Sequence, residues 1–132
     1  MRDVSSAPGL RVRTGPAIGL AVALDAALVV TFAALGRGSH SEALSVAGIA
    51  GTAWPFLAGA ALGWGAAIGL RRRPPVDVTG GVVVWVWTIA GGMALRALTG
   101  QGTAFSFIVV ASLVTGALLL GWRAIARGLA RR

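Results

Sequence analysis

The feature that most constrains this chain is a run of 28 positions, residues 43 to 70, without a charged side chain. An α-helix rises about 1.5 Å per residue and the hydrocarbon core of a bilayer is about 30 Å thick, so about 20 apolar residues can cross it. Three further runs are about that long or longer; Asp25 is a charge inside the first of them, and Arg96 lies at the end of the third span. The sequence therefore predicts four membrane-spanning helices, at about residues 16–36, 44–70, 79–97 and 103–122.

The composition excludes several classes of protein. Charged residues make up 12% of the chain, whereas a soluble domain carries about 25%. The net charge of +8 comes from arginines at the edges of apolar runs, which is not the basic face of a nucleic-acid-binding module. The chain has no Cys and a single His, so no metal site or other cofactor is predicted. No catalytic motif is found, and an enzyme is not predicted.

The placement of the arginines predicts the orientation. If both ends of the chain are cytoplasmic, ten of the twelve arginines lie on the cytoplasmic side, at positions 2, 11, 13, 71, 72, 73, 123, 127, 131 and 132. In this interpretation Arg123 closes the last span on the inner side. We expect a disordered cytoplasmic tail over residues 1–13, a transmembrane domain over 14–123 and a basic cytoplasmic tail over 124–132. The fold class is all-α, an up-down-up-down bundle in the cell inner membrane.

One set of polar residues is predicted to lie inside the bilayer. Asp25 falls about 13 Å into the first span, where a charged side chain is costly and needs a partner. Thr52 and Pro55 fall at a similar depth in the second span, and Thr88 lies in the third. Asp25 has two interpretations, a protonatable carboxylate for coupled transport or a hydrogen-bond acceptor that locks the bundle. Pro55 likewise marks either a site or a plain proline kink.

A second set of residues is predicted at the outer face. Arg37 and Arg96 are the two arginines on the side where positive charge is disfavoured, and His40 and Gln101 lie close to them in the sequence. Together they are candidates for binding a phosphate or carboxylate group. The alternative is structural, with Arg37 paired to Glu42 and Arg96 extended to lipid phosphates.

Two further patterns indicate helix packing. Pairs of glycines four residues apart, Gly59 with Gly63 and Gly65 with Gly69, let another helix approach the second span closely. They are candidates for contacts within the bundle, for a homo-oligomer, or for a larger membrane complex. The tryptophans are interpreted as packing residues rather than a cofactor site, and of them only Trp122 lies at a predicted membrane edge.

Several short motifs carry a resemblance to a known family. These are Gly36-Arg37-Gly38-Ser39-His40, Trp54-Pro55-Phe56 and the Arg96 of the third helix. With them the chain resembles, over about residues 17 to 125, the membrane proteins grouped as domain of unknown function 3054. The resemblance implies a four-helix membrane protein of the kind found in actinobacteria and haloarchaea. It implies no activity.

Two classes of function remain open from the sequence. The first is an accessory or assembly protein, or one that associates with anionic lipid, and it is favoured because no ion-coordinating motif is present. The second is a small oligomeric transporter or channel that uses Asp25 with Arg37 and Arg96. Convergence of these residues on one cavity would favour transport, whereas their separation would disfavour it.

Overall fold

The computed structural model describes residues 14–39 and 42–132. These residues form four α-helices: α1 (Thr14–Ser39), α2 (Val46–Arg71), α3 (Val78–Leu98) and α4 (Phe105–Ala130). Each is long and apolar enough to cross a membrane. The prediction of an all-α bundle of four such helices is confirmed. The predicted tail over residues 1–13 and the candidate site residue His40 lie outside the described residues.

The helices form a ring in which α2 packs on α1 and α3, and α4 packs on α3 and α1. The end of the bundle where α1 begins and α4 ends is called the termini end, and it includes the α2–α3 connection. The two-loop end is the opposite one, with the α1–α2 and α3–α4 connections. The α2–α3 contact is the most extensive and the α1–α4 contact is the smallest, so the α1–α4 contact depends most on specific interactions.

Glycines explain why α2 and α3 pack so closely. A Cβ atom added to Gly59 would lie 2.8 Å from the carbonyl oxygen of Trp87 and 2.9 Å from that of Thr88. One added to Gly63 would lie 2.9 Å from the Cα of Val84. Real Cβ atoms do not approach backbone so closely, so only glycine permits this helix separation. Gly65 and Gly69 have no such neighbour within 4 Å.

The helix ends follow ordinary capping rules. The side chain of Ser45 accepts a hydrogen bond from the Gly48 N–H at 3.0 Å and caps α2, while Asp77 caps α3 through the Gly80 N–H at 3.3 Å. Arg72 ends α2 in the left-handed conformation, with φ of 58°. The last helix differs from the sequence-based span, because it continues to Ala130 and makes most of the predicted basic tail helical.

Asp77 also makes an ion pair that predicts a pH effect. Its carboxylate accepts hydrogen bonds from both terminal nitrogens of Arg71, at 2.9 and 2.7 Å, and these lower the pKa of Asp77 from 3.8 to about 2. A depressed folded-state pKa contributes stability that is present above about pH 4 and lost as the pH falls towards 2. Since the side chain is 39% exposed, the effect is at most about 1 kcal/mol.

We therefore expect Asp77→Asn to unfold with a weaker pH dependence than the wild type between about pH 4 and 2. Asparagine keeps a capping oxygen, so the comparison isolates the ion pair. The measurement is thermal unfolding in detergent across that range. Identical pH dependence in both proteins would contradict this assignment.

Candidate functional sites

A buried ion pair joins α1 to α4 near the termini end. The Nη1 and Nη2 atoms of Arg123 donate to Oδ1 and Oδ2 of Asp25 at 2.9 and 2.7 Å, which is the two-pronged geometry that guanidinium and carboxylate groups favour. Asp25 is 2% exposed and Arg123 is 1% exposed. The charge inside the first span therefore has its partner inside the bundle.

Two tryptophans complete the surroundings of the Asp25 carboxylate. The indole Nε1 of Trp64 donates to Oδ2 at 2.9 Å, and that of Trp122 donates to Oδ1 at 2.8 Å. Each carboxylate oxygen thus accepts one indole and one guanidinium hydrogen bond, which fills the usual capacity of an ionised carboxylate. The guanidinium carbon also lies 4.5 Å from the centre of the Trp122 ring. Together these four residues form the Asp25 cluster.

The backbone around Arg123 fixes the rest of its side chain. Its Nε donates to the carbonyl of Pro75 at 2.9 Å, and Nη1 also donates to the carbonyl of Leu119 at 2.8 Å. A Cβ atom on Gly81 would come 2.5 Å from the Arg123 Cδ, so this glycine makes room for the aliphatic stem. Arg123 thereby connects α4 to α1 and to the α2–α3 connection. These contacts indicate a structural role for Arg123, in which it holds these parts of the bundle together.

The structure does not bring Thr52, Pro55 and Thr88 together with Asp25 as one polar site. Thr52 accepts a hydrogen bond from Arg37 Nη1 at 3.2 Å, towards the two-loop end. Thr88 is fully buried and donates to the carbonyl of Val84 in its own helix at 2.7 Å. Pro55 is buried within α2, which continues through it as one helix.

The separation follows from the register between α1 and α2. Asp25 contacts Trp64, and Arg37 contacts Thr52. The contact of Phe32 with Phe56, whose ring centres are 5.3 Å apart, lies between these two contacts. This antiparallel register places Thr52 well away from Asp25. Counting residues from the ends of the apolar runs predicts a similar depth for Thr52 and Asp25. The structure differs because α2 is longer than one bilayer thickness requires, so its ends do not fix its position along α1.

A cavity of about 240 Å³ opens at the two-loop end and is the second candidate site. Arg37 and Arg96 both line it, together with Glu42 and Thr52. Arg37 donates through Nε to the carbonyl of Ala43 at 2.8 Å, and its Nη1 lies 3.1 Å from Oε2 of Glu42. We call this space the two-loop cavity.

Arg96 is held on the other side of the same cavity. Its Nε donates to the carbonyl of Gly102 at 2.8 Å and its Nη1 donates to Oε1 of Gln101 at 3.0 Å. Its guanidinium carbon lies 4.5 Å from the centre of the Phe107 ring. Of the predicted outer group, the structure thus brings together Arg37, Arg96 and Gln101.

Three phenyl rings separate the two sites. Phe32 and Phe107 line the two-loop cavity, and both pack on the fully buried Phe56 with ring centres 5.3 and 6.1 Å away. Aromatic rings in mutual contact exclude water from the space between them. The cavity therefore has an apolar floor between it and the Asp25 cluster.

A protein-family model for proteins of unknown function matches residues 22–126, which is most of the chain. The chain belongs to the DUF3054 family. This confirms the resemblance carried by the short motifs. No curated protein and no solved structure is detectably similar to this DUF3054 protein. Family membership and the four apolar helices identify an integral membrane protein whose activity is not established.

Sequence reasoning missed Arg123, Trp64 and Trp122 as partners of Asp25 in this DUF3054 protein. The sequence pattern indicates a charge at the membrane edge for Arg123 and packing residues for the two tryptophans. One signal was available, since an isolated carboxylate in a span requires a cation or several donors. The sequence did not indicate which helix supplies that cation or those donors.

Proposed function

We propose that this protein binds an anionic group, a phosphate or a carboxylate, in the two-loop cavity. The observation that carries the proposal is that two guanidinium groups from different helices, Arg37 on α1 and Arg96 on α3, line one cavity of about 240 Å³. Arginine suits this task because its planar donors match the oxygens of such anions. The cavity lies at the end of membrane-spanning helices, so a phosphate-bearing lipid headgroup and a free anion are both sources of the ligand.

An accessory or lipid-associated role is favoured over transport by a single chain. Asp25 is neutralised by Arg123 and fully hydrogen bonded, so it offers no free group to a passing ion. The floor formed by Phe32, Phe56 and Phe107 lies between the two polar regions. Asp25 and Arg96 consequently do not share a cavity, and their convergence was the condition that favoured transport.

Arg37→Gln and Arg96→Gln are each expected to weaken anion binding about tenfold or more, because each removes charge-assisted hydrogen bonds. The measurement is calorimetric titration of the protein in neutral detergent with inorganic phosphate, acetate and, separately, phosphatidic acid in the micelle. Arg127→Gln is the matched control, since Arg127 is exposed at the termini end. Thermal unfolding of each variant would check that the bundle remains folded.

Binding of phosphate and acetate alone would identify a free-anion site, and binding of phosphatidic acid alone would identify a headgroup site. Equal loss in the Arg127→Gln control would show nonspecific attraction to a basic protein and would contradict the proposal. The proposal would also be contradicted if the wild type bound none of the three probes.

We also propose that the two-loop end faces outwards and that both termini are cytoplasmic, in the cell inner membrane. The support is the distribution of arginines, with only Arg37 and Arg96 on the outer side in this orientation. In intact cells, an impermeant thiol reagent should label Thr103→Cys and should not label Val76→Cys. Both positions are exposed in the structure, so the opposite labelling pattern would overturn the orientation.

Association with a second copy of this chain is a further proposal, and we restrict it to the predicted glycines that no other helix covers. Gly59 and Gly63 are covered by α3, so of the four predicted glycines only Gly65 and Gly69 are open. Substitution Gly65→Leu would fill that surface and should reduce any dimer seen by cross-linking in native membranes. A dimer of unchanged amount would contradict this contact.

A further inference from the structure

We infer that Glu42 acts as an internal competitor in the two-loop cavity, occupying the position of the ligand anion, and that a phosphate group binds by displacing it. The inference rests on the proposed anion-binding function and adds both a ligand class and a means of regulation. With Glu42 in that position, the net charge of the cavity lining is +1 rather than +2.

The position of Glu42 supports this role. Its carboxylate lines the cavity and lies 3.1 Å from Nη1 of Arg37. Arg96 lines the same cavity. Among the described residues that line the cavity, Glu42 supplies the only carboxylate. The cavity therefore contains one internal anion together with the two cations that the proposed ligand would use.

Glu42 is held weakly, whereas the arginines are held firmly. The Glu42 side chain is 54% exposed and belongs to the non-helical residues before α2, while the Arg37 side chain is 18% exposed. Both arginines are oriented through Nε by backbone carbonyls, of Ala43 and of Gly102. When Glu42 leaves, these contacts keep both guanidinium groups in place. Exposed ion pairs contribute little stability, so displacement costs little.

The charge count favours phosphate over a carboxylate. With Glu42 displaced, two cations face one cavity. A terminal phosphate carries up to two negative charges and several acceptor oxygens, so it can contact both guanidinium groups at once. A single carboxylate would gain little over the Glu42 that it replaces. The same chemistry fits inorganic phosphate and the headgroup of phosphatidic acid.

The test compares Glu42→Gln with the wild type for binding of inorganic phosphate and, in a separate titration, of phosphatidic acid in neutral detergent micelles. The expected result is binding about two- to fivefold tighter in the variant, the range that corresponds to loss of one exposed ion pair. Asp77→Asn is the matched control, because Asp77 is an acid at the termini end with its own arginine partner. It should leave both affinities unchanged.

Tightening for inorganic phosphate supports a free-phosphate ligand, and tightening for phosphatidic acid alone supports a lipid headgroup. Unchanged or weaker binding in a folded Glu42→Gln protein would overturn the inference. The proposed function would still stand if Arg37→Gln weakened binding as expected. Equal tightening in Asp77→Asn would also overturn it, since the effect would then come from overall charge. Failure of every variant and of the wild type to bind would remove the proposed function itself.

Discussion

Replacing Arg123 with leucine is expected to destabilise the bundle by about 3–5 kcal/mol, because it leaves the Asp25 carboxylate buried without its countercharge. The two indole hydrogen bonds from Trp64 and Trp122 would remain, yet they carry no compensating charge. The measurement is unfolding in mixed micelles with increasing denaturing detergent. Since the α1–α4 contact is the smallest in the ring, amide exchange should rise first along α1 and α4 rather than in α2 and α3. Arg127→Leu, one turn further along α4 and exposed, is the matched control and should have little effect on stability.

Paired substitutions show whether Asp25 and Arg123 stabilise the bundle together or independently. Asp25→Leu combined with Arg123→Met should cost less than the sum of the single changes, because no charge is then left unpaired. The exchanged pair, Asp25→Arg with Arg123→Asp, should not restore stability. The indole N–H groups of Trp64 and Trp122 point at position 25 and would face a cation there, which they cannot bond. Additive effects in the double variant would show that Asp25 and Arg123 act independently. Full rescue by the exchange would instead show that the indole hydrogen bonds contribute nothing to the pair.

Substitution of Gly59 by alanine is expected to destabilise the α2–α3 contact by about 1–3 kcal/mol or more. The added Cβ would lie 2.8 and 2.9 Å from the carbonyl oxygens of Trp87 and Thr88, and backbone atoms cannot move aside as a flexible side chain can. The two helices must separate, which also loosens the contacts of Phe56 with Gly92. Unfolding in mixed micelles measures the effect.

Gly65→Ala provides a control of opposite sign in the same helix. Nothing lies within 4 Å of a Cβ at Gly65, and alanine is favoured over glycine in a helix by about 0.5–1 kcal/mol. Gly65→Ala should therefore be neutral or slightly stabilising, although both substitutions are chemically identical. If Gly59→Ala were equally harmless, the close approach of α2 and α3 would not depend on glycine at that position.

The four helices could be predicted from sequence because their cause is local. A long run of apolar residues without charge has to cross the bilayer as a helix, since backbone groups in hydrocarbon must be satisfied within the segment. Residues 43 to 70 carry that information alone, and the α2 of the structure begins at Val46 and ends at Arg71. The motifs around Arg37, Pro55 and Arg96 were likewise enough to indicate the family.

The candidate sites were only partly predictable. Arg37, Arg96 and Gln101 lie beside short connections, and a short connection brings its flanking residues to the same end of the bundle. Their common position therefore followed from chain order. The role proposed for Glu42 as a competitor in the cavity did not, because the sequence indicated it only as a partner of Arg37.

The sequence by itself determined that this chain is a four-helix membrane protein with one carboxylate in a span that required a partner. Only the tertiary structure decided that Arg123, Trp64 and Trp122 are those partners. The physical reason is that hydropathy fixes which segments enter the bilayer, whereas the rotation and axial register of each helix depend on side-chain fit between helices. Gly59 against α3 and Gly81 against Arg123 set that fit, and no pattern along a single segment contains it.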